Sequence, residues 1–215
     1  MEQQTIGRNT VEEVVKARRS ANNFDETVKI SREELKEMFN LVKFAPSAFN
    51  LQHTHYVVVD DEELKLKVKE VAYRQHKVGT ASAAIIVLGD TQAYTDAERI
   101  YEGMLQLGMM DEQQYKQIIA SIYASYEDRE FQKEEAIRNA ALSAMQFMLI
   151  AKDRGWDTCP MIGFDPQGVR ELLQIPERFI PVMMITIGKE KTNNPRPRGY
   201  RKPVGEFVHY GTFSS

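Results

Sequence analysis

The first apolar segments of the chain recur at helical spacing and begin at capping boxes, in which a hydroxyl residue and a glutamate three positions later satisfy each other's backbone N–H groups. Thr10 with Glu13 and Ser31 with Glu34 are two such pairs. The helix after Ser31 has its apolar positions on one face, at Leu35, Met38, Phe39 and Val42. We expect that helix to end at Ala45, because a following proline disfavours helical dihedral angles.

Three later runs of apolar and β-branched residues have the length of strands, namely His55–Val59, Ala83–Gly89 and Ile180–Ile187. The middle run is almost entirely apolar, which predicts a strand that is buried on both faces. Asp60 or Asp61 is expected to cap a helix between the first two strands, with apolar positions at Leu64, Val68 and Val71.

The remaining stretches predict helices and one extended segment. One helix is marked by Tyr115, Ile118, Ile119 and Ile122, and another runs from about Glu134 to Arg154 with Ala140, Ala141, Ala144, Met145 and Met148 facing inward. A short helix should begin at Asp165-Pro166 and end near Leu173. After Gly188 the chain is rich in proline, glycine and charge, which predicts an arm. This order of elements indicates an α+β fold.

Composition narrows the class of protein. The chain has 215 residues, of which 42% are hydrophobic and 27% charged, and this is typical of one folded domain. A net charge of −3 disfavours nucleic acid as a partner. The absence of a signal core and of a long apolar run predicts a cytoplasmic protein that does not enter a membrane. The single cysteine, Cys159, fits a reducing compartment, and we expect it to be a buried packing residue.

Common phosphate-binding and metal-binding motifs are missing from the sequence. No G-x-G-x-x-G motif follows a strand, and the Walker-like spacing from Gly103 to Gly108 is followed by two methionines. The four histidines do not form a ligand pattern, so we expect no metal site. Arg18-Arg19-Ser20, at the end of the first predicted helix, has two interpretations. The arginines complement the helix dipole, or the three residues chelate a phosphate.

Three further segments are ambiguous when each is considered alone. Ala45–Gln52 is typical of a turn between a helix and a strand. Cys159–Pro166 contains Gly163, which would allow a flat ligand to approach the backbone. The arm carries Arg196, Arg198 and Arg201, which elsewhere would indicate a solvated tail.

The order of these motifs resembles that of the nitroreductase family of FMN-dependent enzymes. The four motifs are R-R-S-x-x-x-F from residue 18, A-P-S-x-x-N-x-Q from residue 45, P-x-x-G-F-D from residue 160 and Y-R-x-P from residue 200. The resemblance implies a nitroreductase-like α+β fold, with a central, mostly antiparallel sheet flanked by helices, in an intertwined homodimer with exchanged C-terminal arms. It also implies one FMN per subunit, with NADH or NADPH reducing a small acceptor, flat or aromatic, by a ping-pong mechanism.

Site residues are carried over from the family by position. Arg18, Ser20 and Arg201 match ligands of the FMN phosphate, with Arg19 and Arg198 as helpers. Gln75 matches an amide on the ribityl or pyrimidine edge. Pro46, Ser47, Ala48 and Asn50 match the loop that packs on the flavin ring, in this family often from the partner chain. The segment that lies against the ring is matched by Pro160, Met161, Ile162 and Gly163. No side chain is expected to act as a catalytic acid or base, because flavin N5 performs the hydride transfer.

The chain departs from the family pattern at several positions. Asn22 stands where the family usually has a cation near flavin N1 and O2, and His53-Thr54 stands where many members have Pro-Trp. Many members also have an acid where this chain has Ile162. Arg74 is the residue that would replace the missing cation.

The resemblance also divides the chain into parts. Residues 1–192 are expected to form one FMN-binding domain, with a helical segment at about 91–131 that covers the flavin, and residues 193–215 an arm that packs on the partner. The Tyr- and Met-rich stretch from Tyr94 to Tyr126 is either packing or a wall of the acceptor pocket. Two other functions stay open: different flavin chemistry, such as dehalogenation, enone reduction or flavin breakdown, and flavin binding without catalysis.

Overall fold

An antiparallel sheet of four strands lies at the centre of the chain, with the order β1-β2-β4-β3. The strands are β1 (Thr54–Val59), β2 (Ala83–Asp90), β3 (Asp157–Met161) and β4 (Phe179–Gly188). The computed structural model describes residues 10–191 and 197–213, so Arg196 and the predicted start of the arm at 193–196 lie outside the described residues. The predicted α+β class and antiparallel sheet are confirmed.

Eight α-helices are found in the described residues. They are α1 (Val11–Ala17), α2 (Arg32–Val42), α3 (Glu62–Val71), α4 (His76–Thr80), α5 (Ala97–Gln106), α6 (Glu112–Ser125), α7 (Arg129–Asp153) and α8 (Pro166–Leu172). Both predicted capping boxes are formed, and Asp61, not Asp60, caps α3. Asp60 instead pairs with Arg32.

The core is built on the two faces of β2, whose eight residues are all buried, as its sequence predicted. Alternate residues such as Ile85 and Val87 pack against α2 and α7, whereas Ile86 and Leu88 pack against α3, α4 and α8. This alternation follows from the two-residue period of a strand. The result is a sheet between two layers of helices.

A smaller apolar cluster holds the segment between β2 and α7, which we call the covering segment (residues 91–126). The buried residues of this cluster are Leu51, Ala93, Ala97, Ile122 and Tyr126. Leu51 comes from the loop before β1, so this cluster joins the covering segment to that loop. Within residues 10–191 and 197–213, no helix is long and apolar enough to cross a membrane.

Three sequence-based predictions about the elements were wrong. The strand β3 was not predicted, because Asp157-Thr-Cys-Pro-Met has no clear alternation and contains a proline. Proline is tolerated there because β3 is at the edge of the sheet. The helix α2 ends at Val42 and not at Ala45, since the next residues form a turn in which Ala45 N–H donates to Val42 O at 2.8 Å.

The third wrong prediction concerns α7, which begins at Arg129 and not near Glu134, because Asp128 caps it. Ala140, Ala144 and Met148 face inward as predicted, but Ala141 and Met145 are exposed in the single chain. The helix has apolar residues on most of its circumference, so periodicity alone did not indicate which side faces the sheet.

A close contact between α7 and the sheet occurs at Gly89 on β2. A Cβ atom at this position would overlap the backbone carbonyl of Ala136 on α7. A helix backbone cannot easily move away from such an overlap, because its movement displaces the residues packed on either side. Gly89 therefore sets the distance between α7 and β2.

We predict that Gly89→Ala destabilises the protein by about 1–3 kcal/mol, the usual range for overpacking a core. The matched control is Gly103→Ala on α5, where a Cβ would meet nothing within 4 Å. That change should stabilise the protein by about 0.5–1 kcal/mol, because alanine has the higher helix propensity. Urea denaturation of both variants measures the difference, and equal midpoints would contradict the prediction.

Candidate functional site

A cavity of about 300 Å³ lies where the end of α1 meets the C-terminal arm, and we call it the arginine cavity. Its lining residues are Arg18, Arg19, Ser20, Asn22, Asn23, Glu190, Pro197, Arg198, Gly199 and Arg201. The helix α1 ends before Arg18, and the chain then runs beside β3, where Ala21 N–H donates to Thr158 O at 3.1 Å. This pairing holds Ser20 next to the first residues of β3.

The arm closes the other side of the arginine cavity. The Arg198 guanidinium donates hydrogen bonds to the carbonyl oxygens of Lys16 and Arg18, which are at the end of α1. Arg201 donates to the carbonyl oxygen of Tyr200 at 2.8 Å. Residues separated by almost the full length of the chain are therefore brought to one place, and residues 197–201 of the arm contact their own chain.

The electrostatics of the arginine cavity favour an anion. Partial burial, together with the positive charges of Arg198 and Arg201, lowers the pKa of Arg18 below its usual value. An arginine stays protonated despite such a shift, so the repulsion remains. Glu190 supplies the one carboxylate among the described lining residues. Converging guanidinium groups with a nearby hydroxyl fit the oxygens of a phosphate.

Glu190 and Asn23 were not identified as site residues from the sequence. The Glu190 carboxylate accepts a hydrogen bond from Asn22 N–H at 3.4 Å, and Glu190 N–H donates to Asp157 Oδ2 at 3.0 Å. The side chain of Asn23 contacts His76 on α4, with 3.3 Å between Oδ1 and Nε2. Asn23 stands at an unspecified position of R-R-S-x-x-x-F and Glu190 lies outside the four motifs, so only the fold reveals their place in the cavity.

A second group of predicted residues meets at the end of β3. Gln75, the residue before α4, donates from Nε2 to the carbonyl oxygen of Gly163 at 2.5 Å. A Cβ at position 163 would come within 2.9 Å of Gln75 Nε2, so a larger residue there would require the Gln75 amide to shift. Met161 is buried, whereas Ile162 is 82% exposed.

These two groups form one continuous strip. Thr158 pairs with the chain at Ser20 and Ala21, and β3 continues from Thr158 through Pro160 towards Gly163. The contact between Asn23 and His76 joins the other ends. The chain therefore brings Pro160–Gly163 and Gln75 beside the arginine cavity.

The predicted loop from Pro46 to Asn50 lies elsewhere. Pro46 and Ser47 line a separate cavity of about 660 Å³, together with residues of α2, β1 and the covering segment. This second cavity and the arginine cavity have no lining residue in common. A single chain therefore does not bring the loop to the arginine residues.

Arg74 forms an ion pair with Glu70, so it is not an unpaired cation that could replace the one missing at position 22. Its Nε donates to Glu70 Oε2 at 2.7 Å, and both side chains are largely exposed. His53, at the position of the family's Pro-Trp motif, is completely buried and contacts Tyr126, with 2.7 Å between Nε2 and the hydroxyl oxygen. Desolvation lowers the pKa of His53 to about 4, so the ring is neutral at neutral pH.

The Tyr- and Met-rich stretch divides into two parts. Tyr94 stacks on the buried Tyr126 with 5.2 Å between ring centroids, so these two rings belong to the packing of the covering segment. Leu107 and Met109 are 77% and 68% exposed at the turn between α5 and α6. Among residues 10–191 and 197–213, no cluster of three His, Cys, Asp or Glu residues is placed to hold a metal ion.

Comparisons with known proteins agree with this arrangement. The profile of the nitroreductase family matches residues 15–189. A Bacillus subtilis protein named "Putative NAD(P)H nitroreductase MhqN" is 56% identical over 199 residues, which is 92% of this chain and 97% of that protein. A Lactiplantibacillus plantarum protein named "CLA biosynthesis enone reductase" is 34% identical, over 84% of this chain and 86% of that protein.

A solved structure from Exiguobacterium sibiricum, described as a complex with FMN, has a TM-score of 0.85 and 32% sequence identity. The match covers 94% of this chain and 97% of that one. The fold, the order of the motifs and the family profile lead to the same conclusion, and the chain belongs to the nitroreductase family.

Proposed function

We propose that this protein uses FMN to transfer electrons from NADH or NADPH to nitroaromatics, quinones or related small organic acceptors by a ping-pong mechanism. An FMN-dependent NAD(P)H oxidoreductase is supported by the family match and by the names of the relatives and of the FMN complex. The observation that carries the proposal for this chain is the arginine cavity, whose excess positive charge matches the phosphate of FMN.

Residues of the described chain can be matched to FMN from its phosphate to its flavin ring. Arg18, Ser20 and Arg201 would hold the phosphate, with Arg19 and Arg198 nearby. Gln75 and the backbone of Ile162 and Gly163 would lie at the ring, since Ile162 and Gly163 directly follow β3 and Gln75 donates a hydrogen bond to Gly163. When it is bound, FMN accepts a hydride at N5 and passes electrons to the acceptor, and the protein positions the reactants.

A homodimer completes the proposed site. Pro46, Ser47, Ala48 and Asn50 do not line the arginine cavity of their own chain, so we assign them to the flavin of the partner. Apolar side chains that a partner could cover are exposed on α2, on the turn after it and on α7, at Leu41, Phe44, Ile137, Leu142 and Met145. Because residues 197–201 contact their own chain, we limit the exchanged part of the arm to the residues after 202. The domain division at 192 and the cytoplasmic location stay predictions.

Enone reduction is the second candidate function, because one relative at 34% identity is an enone reductase. Stopped-flow mixing separates the candidates. Rapid bleaching of the flavin by NADH or NADPH supports a reductase, and reoxidation by a quinone, a nitroaromatic or a conjugated enone identifies the acceptor class. A flavin that neither nucleotide reduces would contradict the proposal.

We predict that Arg18→Ala weakens FMN binding by about 1.5–3 kcal/mol, because a charge-assisted contact to the phosphate is lost. Fluorescence titration of the apoprotein with FMN measures this change. The control is Arg32→Ala, which removes a guanidinium with two hydrogen bonds to Asp60 beside the β1 edge of the sheet. Equal FMN affinity in the two variants would exclude Arg18 from the site.

Truncation after Lys202 should convert the dimer to a monomer at low micromolar concentration. It removes the exposed apolar residues Val204, Phe207, Tyr210 and Phe213 but keeps the arm arginines. Sedimentation velocity measures the assembly. The full-length double variant Arg198→Ala with Arg201→Ala is the control, and it should lose FMN affinity while it remains a dimer. A truncated protein that stays dimeric would disprove the exchange of the arm.

We predict that a cation at position 22 raises the FMN midpoint potential by roughly 20 mV. The estimate assumes a net gain of about 1 kcal/mol from attraction to the negative charge of the reduced ring. Glu190 lies within 3.4 Å of the Asn22 backbone nitrogen and would neutralise part of that charge.

The comparison is therefore made in a Glu190→Gln background, with Asn22→Lys as the test and Asn22→Met as the uncharged control of similar length. Spectroelectrochemical titration gives the midpoints. If the lysine variant kept the midpoint of the methionine variant with FMN fully bound, Asn22 would be remote from the ring.

A further inference from the structure

The loop that carries Ser47, Ala48 and Asn50 has an unusual backbone. Phe49, Asn50 and Gln52 all have positive φ values, of 50°, 53° and 53°. This left-handed region is unfavourable for residues with a side chain, and a bulky aromatic residue rarely adopts it. Strain of this kind persists only where surrounding contacts enforce it, and it is often found at functional sites.

One enforcing contact comes from α7. The side-chain oxygen of Asn139 accepts a hydrogen bond from Ala48 N–H at 2.8 Å. The Asn139 amide nitrogen donates to the backbone oxygen of Glu135 at 2.7 Å and to its carboxylate at 3.0 Å. Because Asn139 is buried, these bonds fix the orientation of its amide and, with it, the start of the left-handed stretch.

The other enforcing contacts come from the covering segment. The Tyr101 hydroxyl on α5 donates to the carbonyl oxygen of Phe49 at 3.1 Å. Tyr126, at the end of α6, contacts His53 at the end of the loop. Desolvation raises the pKa of Tyr126 to about 12, so both partners of that contact are neutral at neutral pH. The side chains of Phe49 and Leu51 pack into the apolar cluster of the covering segment.

The strained backbone explains how one loop can serve two surfaces. In this conformation Phe49 and Leu51 pack into the apolar cluster of the covering segment. Pro46, Ser47 and Leu51 line the second cavity, and Asn50 stays exposed. Relaxation of Phe49 to an ordinary conformation would turn its carbonyl away from Tyr101 and change the direction of the neighbouring residues. The Tyr101 hydroxyl donates its hydrogen bond to Phe49, which is itself one of the strained residues.

We propose that Tyr101 is a positioning residue for the flavin: its hydroxyl holds the left-handed turn at Phe49 and so fixes the loop that contacts the FMN of the partner subunit. The inference rests on the proposed function, because the loop's contact with the flavin is part of that proposal. It gives the covering segment a role besides enclosing the acceptor, since the same segment sets the shape of the flavin-binding loop.

The test compares Tyr101→Phe with Tyr123→Phe in the holoenzyme. Both changes remove one tyrosine hydroxyl from the covering segment, but the Tyr123 hydroxyl donates to Glu98 at 3.1 Å and has no bond to the loop. Hydrogen exchange of the backbone amides of residues 48–52 measures how firmly the loop is held. We expect faster exchange at these amides in Tyr101→Phe and wild-type exchange in Tyr123→Phe. Unchanged exchange in Tyr101→Phe would overturn the role of the hydroxyl.

The visible circular dichroism of the bound flavin and the FMN dissociation constant report whether the loop positions the cofactor. We expect an altered flavin spectrum and FMN binding about fivefold weaker in Tyr101→Phe, which is the loss of one typical hydrogen bond. The thermal midpoint of the apoprotein should stay near that of Tyr123→Phe, which excludes a general loss of stability. Faster loop exchange with an unaltered flavin spectrum and affinity would overturn the positioning role. A wild-type protein that binds no FMN would overturn the proposed function and this inference together.

Discussion

The complete burial of β2 is the constraint on which the rest of the structure depends. A strand with eight buried residues must be covered on both faces, so the fold needs one layer of helices with α2 and α7 and another with α3, α4 and α8. The tight contact at Gly89 sets the position of α7. From α7, Asn139 accepts a hydrogen bond from the backbone of Ala48, so the position of α7 also sets the base of the loop from Pro46 to Asn50.

Most of the fold could be predicted from the sequence because its signals are local. The capping boxes, the apolar run of β2 and the aspartate before Pro166 each act within a few residues, and the structure confirms all of them. The strand β3 could not be predicted, because its pairing with β4 and with the chain at Ser20 is a tertiary interaction. The exposed side of α7 was also unpredictable, since a helix with apolar residues on most of its surface does not reveal which face meets the sheet.

The candidate site also contains some residues that the sequence predicts and others that only the structure reveals. Arg18, Ser20 and Arg201 were named from motifs, and the fold brings them to one cavity. Glu190 has no motif, and it reaches this cavity because the end of β4 lies beside the chain at Phe24. The strain at Phe49 was also unpredictable. It depends on hydroxyl and amide groups of α5 and α7 that are distant from the loop in sequence. The sequence therefore predicts which groups bind, whereas the contacts that orient them are visible only in the structure.

The positive charge of the arginine cavity relates the binding of an anion to the position of the C-terminal arm. Burial first, and then the positive charges of Arg198 and Arg201, lower the pKa of Arg18, so the arginines of the arm and of α1 repel one another across the cavity. A bound dianion would offset this repulsion, and by linkage it would stabilise the arrangement that binds it. Arg198 and Arg201 stand at the base of the segment whose exposed apolar residues need a second surface. A phosphate in the cavity would therefore hold residues 197–201 against the end of α1, so that anion binding and the position of the base of the arm are coupled through the same few residues.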